Sequence, residues 1–272
     1  MYKTFAAITF ICLSLGIAPL RAEPQSTAKE RPRTCTADNS TDDGRANYAE
    51  PRSQTLAQSA LNKIRPSVNG GVIVHGTDRS DVLVHACVHS SAPSDQEARA
   101  LAGQISVAQG PGEIEAHGPK TDHDRSWSVS YEIWVPKHSN LDVASVNGGI
   151  AVESVDGNVQ TQNVNGGIRL TELSGNVKGS TVNGGIKAEL AGNSWTGEGL
   201  QISTTNGGVR LEVPDNYSAR VETSTVNGEF HCDFPISIQT GEMKHLSFQL
   251  GSGGPEIRTS TVNGGIHIVR KS

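Results

Sequence analysis

Aromatic side chains are scarce in this chain, with 5 Phe, 3 Trp and 4 Tyr among 272 residues, and there are only 2 Met. So few large apolar groups argue against an enzyme core dense in rings. The 30 Gly, about 11% against a usual ~7%, favour turn-rich, repetitive β structure instead. An excess of positive charge is also missing: 23 Lys and Arg face 28 Asp and Glu. That balance leaves no general electrostatic footprint for nucleic acid or for anionic membranes. Past residue 22 no stretch approaches the ~18 consecutive apolar residues that a membrane helix needs. Gly-x-Ser-x-Gly, His-Glu-x-x-His and a phosphate loop are absent, as is the Gly-Gly-x-Gly-x-Asp nonapeptide of calcium-binding β-rolls. The expectation is therefore a chain with no catalytic residues, no cofactor and no metal.

What the sequence does have begins with Lys3, an apolar run from Phe5 to Leu20, and Leu20-Arg21-Ala22 before Glu23. This is the charge, apolar core and small-residue exit of a secretory signal peptide, assigned to residues 1–22. Cys12 lies inside the apolar run rather than after it, a poor fit to a lipoprotein cleavage site. Cleavage leaves 21 basic and 28 acidic residues, a net charge of −7, and no integral membrane segment. Of the 4 Cys, Cys35, Cys87 and Cys232 remain. One disulfide can form among them in an oxidising compartment, and the sequence does not choose the pair.

The dominant signal is an internal repeat. Asn-Gly-Gly recurs at Asn69, Asn147, Asn165, Asn183, Asn206 and Asn263, with Asn227-Gly228-Glu229 as a variant. Echoes at Asp156-Gly157-Asn158 and Ser174-Gly175-Asn176 fall nine residues after an Asn, so the unit is an 18-residue coil of two halves. Aligned on the Asn, position +3 holds Val72, Ile150, Ile168, Ile186, Val209, Phe230 and Ile266, and position +5 is mostly apolar as well. A two-residue hairpin at Asn-Gly would send Val164 and Ile168 to opposite faces. A corner in a coil lets Val164, Ile168 and Leu170 all point inward, so burial favours a β-solenoid. Residues 141–272 are assigned to the solenoid, at roughly seven coils spaced ~4.8 Å apart. Residues 61–140 read as an N-terminal cap of strands with one short helix from Ser94, where Glu97 completes a capping box. Residues 23–60 read as a flexible polar lead with a helical turn near Thr55–Asn62. The last strand, Gly265–Val269, would end the stack, with Arg270 and Lys271 guarding its edge.

The run Tyr131-Glu132-Ile133-Trp134-Val135-Pro136, then Leu141-Asp142-Val143 and the Val-Asn-Gly-Gly-Ile units, resembles a bacterial family of exported β-strand-repeat proteins. Trp195-Thr196-Gly197-Glu198-Gly199-Leu200 followed by Thr205-Asn206-Gly207-Gly208-Val209-Arg210-Leu211 is similar to it too. The family carries the label putative adhesin, on a domain of unknown function. The resemblance covers residues 64–270 and implies an all-β, right-handed single-stranded β-helix in the cell envelope, with no established activity and no catalytic residues to carry over. Glu229 departs from the pattern at one corner.

Three groups remain as candidate chemistry. His85, Cys87 and His89 share one face of a strand, but same-face neighbours ~6.6 Å apart seldom reach one ion. A column of Ser145, Asn163, Thr181, Thr204, Thr225 and Thr261 stands two residues before each Asn. As an exposed hydroxyl ladder it would suit an ice-binding face. Finally, Arg169, Lys187 and Arg210 at +4 run beside Glu189 and Glu212 at +6. Two stacked carboxylates ~5 Å apart invite a retaining-glycosidase reading, although the adjacent cations favour ionised carboxylates over an acid catalyst. The expected role is thus a non-catalytic exported protein, in the periplasm or at the cell surface, whose Arg169, Lys187, Arg210, Glu189 and Glu212 ridge binds a glycan or an envelope protein. A polysaccharide-cleaving enzyme is the alternative, with Trp195 the best-placed sugar-stacking ring.

Overall fold

The repeat dictates a ladder in which every coil aligns its Asn with the Asn of its neighbours, and the computed structural model has that ladder. It describes residues 33, 35–37, 44–58, 61–110, 112–236, 238–242 and 244–271. The leader assigned to residues 1–22 lies outside them. β1 (Ala46–Ala57), β2 (Leu61–Arg65), β3 (Val72–Thr77) and β4 (Asp81–Ala92) precede helix α1 (Asp95–Ala102). β5 (Ser106–Gly110), β6 (Gly112–His117) and β7 (Ser126–Pro136) follow it. Then two strands flank each corner, one in each sheet: β8 (Leu141–Asn147) and β9 (Ile150–Glu153), β10 (Asp156–Asn165) and β11 (Ile168–Thr171), and β12 (Ser174–Asn183) and β13 (Ile186–Glu189). β14 (Gly199–Asn206) and β15 (Val209–Val213) continue, then β16 (Ala219–Asn227) and β17 (Phe230–Cys232). A hairpin of β18 (Ile238–Glu242) and β19 (His245–Leu250) intervenes before β20 (Glu256–Asn263) and β21 (Ile266–Arg270).

All strands among the described residues belong to two sheets. The first runs β1-β4-β7-β3-β9-β11-β13-β15-β21-β17, and the second β18-β19-β16-β20-β14-β12-β10-β8-β2-β6-β5. Within the stack the pairing is parallel, with Asn147, Asn165 and Asn183 in register and Asn206, Asn263 and Asn227 continuing the row. The fold is all-β and solenoid-like, without a closed barrel. Its interior is lined by positions +3 and +5, among them Ile168, Leu170, Ile186 and Leu211, each at most 2% exposed. Burying one such side chain contributes about 1.5–3 kcal/mol.

Two features of the order differ from the linear expectation. β2 and β3 form a complete coil paired to β8 and β9, so the stack starts at residue 61 rather than 141. At the other end the last coil in sequence is not last in space: β20 lies between β14 and β16, and β21 between β15 and β17. Arg270 and Lys271 therefore guard no edge. Arg270 pairs with Asp215 and lies over the Phe234 ring, while Lys271 bonds Glu189 at 2.8 Å and Glu172 at 3.4 Å, fastening the terminus to earlier coils. The lead also carries a strand where a helical turn was expected, since β1 pairs along its whole length with β4. α1 is capped by Ser94, whose Oγ accepts from the Glu97 N–H at 3.3 Å.

The largest revision concerns which column faces inward. Val146, Val164, Val182 and Val262 are about 40% exposed, and Val68 and Val226 more so. Period-2 alternation carries through to the end of the second-sheet strand, so it is the residue before the valine that turns in. Ser145, Asn163, Thr181, Thr204, Thr225 and Thr261 are accordingly buried, each no more than 5% exposed. Each donates to a first-glycine carbonyl in an adjacent coil, as Thr181 Oγ1 does to Gly166 O at 3.0 Å and Thr204 Oγ1 to Gly184 O at 2.8 Å. The asparagines have a job beyond turning. Nδ2 of one donates to Oδ1 of the next at 2.8–3.0 Å, from Asn69 through to Asn227, the side-chain ladder known from stacked, in-register strands.

Candidate functional site

The corner geometry creates a groove along the first sheet. At each corner the first glycine touches the preceding coil so closely that a Cβ there would collide with backbone: on Gly166 it would sit 2.4 Å from Gly148 O. At the second glycine the fit is looser, since a Cβ on Gly149 would lie 3.6 Å from its nearest atom. The second glycines Gly149, Gly167, Gly185 and Gly208 are exposed and floor a cavity of about 870 Å³. Its wall is the +4 column, Ile73, Ala151, Arg169, Lys187, Arg210 and His267, with Arg33 at the far end. No carboxylate among the described residues lines it.

Arg169, Lys187 and Arg210 are brought together as their spacing predicted, because β11, β13 and β15 pair in register. Glu189 and Glu212 also stand opposite one another in that ladder. Their partners decide their chemistry. Glu212 Oε1 accepts from Lys187 Nζ at 2.8 Å and from Arg210 Nε at 3.0 Å, and the hydrogen bond from Lys187 in particular holds its carboxyl below the usual carboxylate range. A group depressed in this way stays ionised at neutral pH and is protonated only in acid, the opposite of a proton donor. Glu189 is bound to Lys271. Arg169 is exposed and meets no carboxylate among the described residues. The ridge thus keeps a net positive charge: Lys187 and Arg210 share the one carboxylate of Glu212, Glu189 is taken by Lys271, and Arg169 is left open.

The other candidates are buried or already bonded. The hydroxyl column expected on an ice-binding face points into the core, and Thr223 and Thr259 beside it are likewise buried. Trp195 is only 6% exposed and donates Nε1–H to Gly175 O at 3.0 Å, so it offers no stacking platform. His85, Cys87 and His89 do share a face of β4. Cys87, however, is joined to Cys35 in a disulfide, which closes the three-way choice left by the sequence. Cys35, Cys87 and His89 bring their donor atoms within 4.8 Å of one another, but a disulfide sulfur is no thiolate ligand. His85 bonds Ser53 Oγ at 2.6 Å and meets the Trp134 ring edge-on, and burial lowers its pKa. Cys232 is a free thiol, half-buried, with its pKa raised chiefly by that burial.

Alkylation of the unfolded, unreduced protein should label Cys232 and spare Cys35 and Cys87, as peptide mass spectrometry would read. Labelling of all three would contradict the pairing. The bond spans 52 residues of sequence, so reduction should cost about 4 kcal/mol in the loop-entropy picture and lower the melting temperature.

Sequence reasoning missed the exposed valines and the groove floor. The second glycine was readable only as part of a turn; the signal for a floor is that Glu229 occupies the same position in the seventh coil without breaking the ladder, its carbonyl still accepting from Ile266 N–H at 2.8 Å. A side chain is therefore tolerated at the second position, and six corners leave it out.

A comparison with curated proteins finds no match. Solved structures similar to the chain include a putative cell adhesion protein from Clostridium sporogenes, at 13% identity and a TM-score of 0.43, covering 82% of this chain and 100% of that one. A putative adhesin from Bacteroides fragilis is similar at 14% identity and a TM-score of 0.41, covering 82% and 97%. A third, described as a putative lipid binding protein from Parabacteroides distasonis, reaches 10% identity and a TM-score of 0.34, covering 80% and 96%. The model of the family Toastrack DUF4097 matches residues 94–269, well over half of the sequence. The chain belongs to the Toastrack DUF4097 family.

Proposed function

We propose that this is a non-catalytic, exported protein of the cell envelope that retains an anionic glycan in the groove of the first sheet. The observation that carries the reading is a cavity walled by three cations against one carboxylate: Lys187 and Arg210 share Glu212, while Arg169 meets no carboxylate among the described residues, so the wall keeps a net positive charge. Export is supported by the signal-like residues 1–22 and by the Cys35–Cys87 disulfide, which is stable in an oxidising compartment. The coil hand is taken as right-handed, in keeping with the hand of parallel crossovers in general. Against the enzyme alternative, Glu212 is held ionised by two cations and Glu189 is tied to Lys271, so neither is poised as an acid.

Replacing Arg169, Lys187 and Arg210 together with Ser removes three exposed or half-exposed side chains. Melting should move little, while retention on a panel of acidic envelope polysaccharides should fall at least tenfold in affinity, measured by co-sedimentation and calorimetry. Unchanged retention would remove the groove from consideration, and shortened polymer in the supernatant would support the enzyme.

A further inference from the structure

The groove is selective in a way that cation count alone does not convey, because the backbone groups left unpaired on its floor are donors, not acceptors. The first-glycine N–H groups are spent in the ladder, as Gly148 N–H to Asn165 O at 3.1 Å and Gly166 N–H to Asn183 O at 2.9 Å. First-glycine carbonyls accept from the buried side chains, for example Gly148 O from Asn163 Nδ2 at 2.6 Å. Second-glycine carbonyls are spent too: Gly149 O, Gly167 O, Gly185 O and Gly208 O accept from the N–H groups of Val72, Ile150, Ile168 and Ile186 at 2.9–3.0 Å. What is left over is the N–H of the second glycines Gly149, Gly167, Gly185 and Gly208, which finds no acceptor among the described residues, whereas that of Gly71 is spent on Ser130 Oγ at 3.3 Å. Every cation beside this floor is likewise a donor. A peptide laid here would bring its own N–H groups to a surface with no carbonyl to receive them, a costly mismatch. A ligand whose contact atoms are all acceptors would not.

The second property is pitch. Arg169, Lys187, Arg210 and His267 stand on consecutive coils in register, Arg169 beside Lys187, Lys187 beside Arg210, and Arg210 beside His267. One positive or protonatable group therefore recurs about every 4.8 Å along the groove. A linear 1,4-linked polysaccharide with a carboxylate on every sugar advances by a similar step per residue and turns successive sugars to different sides, so alternate carboxylates can meet the cation column in phase with alternate coils. Polymers joined by phosphodiesters place a full alditol or sugar between charges and fall out of phase. The second glycine fits this demand. A Cβ would be accommodated at Gly149, and Glu229 shows the position accepting a long side chain, yet along the floor the space is kept open.

We infer that the groove binds a polyuronate chain lengthwise, with the carboxylates of alternate sugars turned to the +4 column and held there between a cation and a second-glycine N–H. The inference rests on the anionic-glycan reading above and sharpens it to a charge spacing. The test is calorimetric titration of the purified protein with oligogalacturonates of increasing length, with carboxyl-reduced oligomers and poly(glycerol phosphate) alongside. Affinity should climb with each second added sugar by about two- to fivefold, as for exposed ion pairs, level off at about four sugars, the length of the four coils bearing Arg169, Lys187, Arg210 and His267, and weaken with salt. Reduced oligomers should not bind. Gly149→Gln with Gly167→Gln, which fill the floor and keep every charge, should lose at least tenfold with the circular dichroism unchanged. Equal binding of poly(glycerol phosphate), or a length series with no plateau, would overturn the register while leaving an anionic-glycan groove. Loss on Arg169→Ser, Lys187→Ser and Arg210→Ser but none on filling the floor would overturn the amide contribution. If no acidic polymer binds the wild type, the broader reading falls as well.

Discussion

A chain ended after Pro255 should lose a coil from the middle of its stack and, with it, cooperative folding of the C-terminal half. Residues 256–272 supply β20 and β21, which are the partners of β14 and β15 on one side and of β16 and β17 on the other. Removing them strands both neighbours. Ile257, Ile266 and Ile268 are completely buried and would be deleted, forfeiting roughly 5–9 kcal/mol of apolar burial, comparable to the whole stability of an ordinary domain. Two ion pairs from Arg258, to Glu222 and Glu256, and the Lys271 tether go as well. Urea unfolding should become broad and shallow, and proteolysis should cut between residues 214 and 255. Point variants separate burial from surface on one strand: Ile268→Ala should cost about 2–5 kcal/mol, and His267→Ala within about 0.5 kcal/mol. A truncated chain that still melts in one sharp step would mean that β15 and β17 can close on each other.

The second large effect belongs to the corner. Gly166→Val places a Cβ 2.4 Å from Gly148 O and 2.9 Å from Asn163 Nδ2, at a backbone φ of +153°. It strikes the hydrogen bond between Asn163 and Gly148 O as well as the coil spacing itself. The expected loss exceeds about 3 kcal/mol, the range reserved for strained or overpacked sites, and should lower the melting temperature by about 6–12 °C. Gly167→Ala, one residue on, meets its nearest atom at 3.3 Å and should cost less than about 1 kcal/mol, no more than a modest crowding of one contact. Comparable losses at the two positions would show that the corner is constrained as a whole rather than at its first glycine.

The repeat made much of this fold readable, because Asn-Gly-Gly fixes register and the +3 and +5 residues face inward in every ladder pair. Val164 was misplaced for a local reason. Inward direction was carried unchanged around the corner from Ile168, whereas alternation in the preceding strand sets Thr161 and Asn163 inward and Val164 outward. Burial of Thr181 and Thr204 could not be anticipated without knowing that a glycine carbonyl of the adjacent coil waits for each hydroxyl. The 36-residue gap before Asn263 reads naturally as two coils in line, and nothing in local propensity announces that the chain returns to fill a space left earlier. Of the site, the cations of β11, β13 and β15 were legible as a column. The empty floor beside them was not, since a glycine chosen for openness and a glycine chosen for turning look alike in a string of letters.

The in-register asparagine ladder has a consequence for how such a protein can change over time. Each coil presents the same side-chain amide above and below, so an in-frame duplication of 18 residues between Asn147 and Asn183 would insert as a new rung without altering any neighbour's bonding. The cavity would lengthen by about 4.8 Å per rung. Past Asn206 the same duplication would have to separate neighbouring coils that the returning terminus already bridges. Growth is therefore confined to one segment, and the length of ligand recognised becomes a quantity that copying errors can adjust in discrete steps.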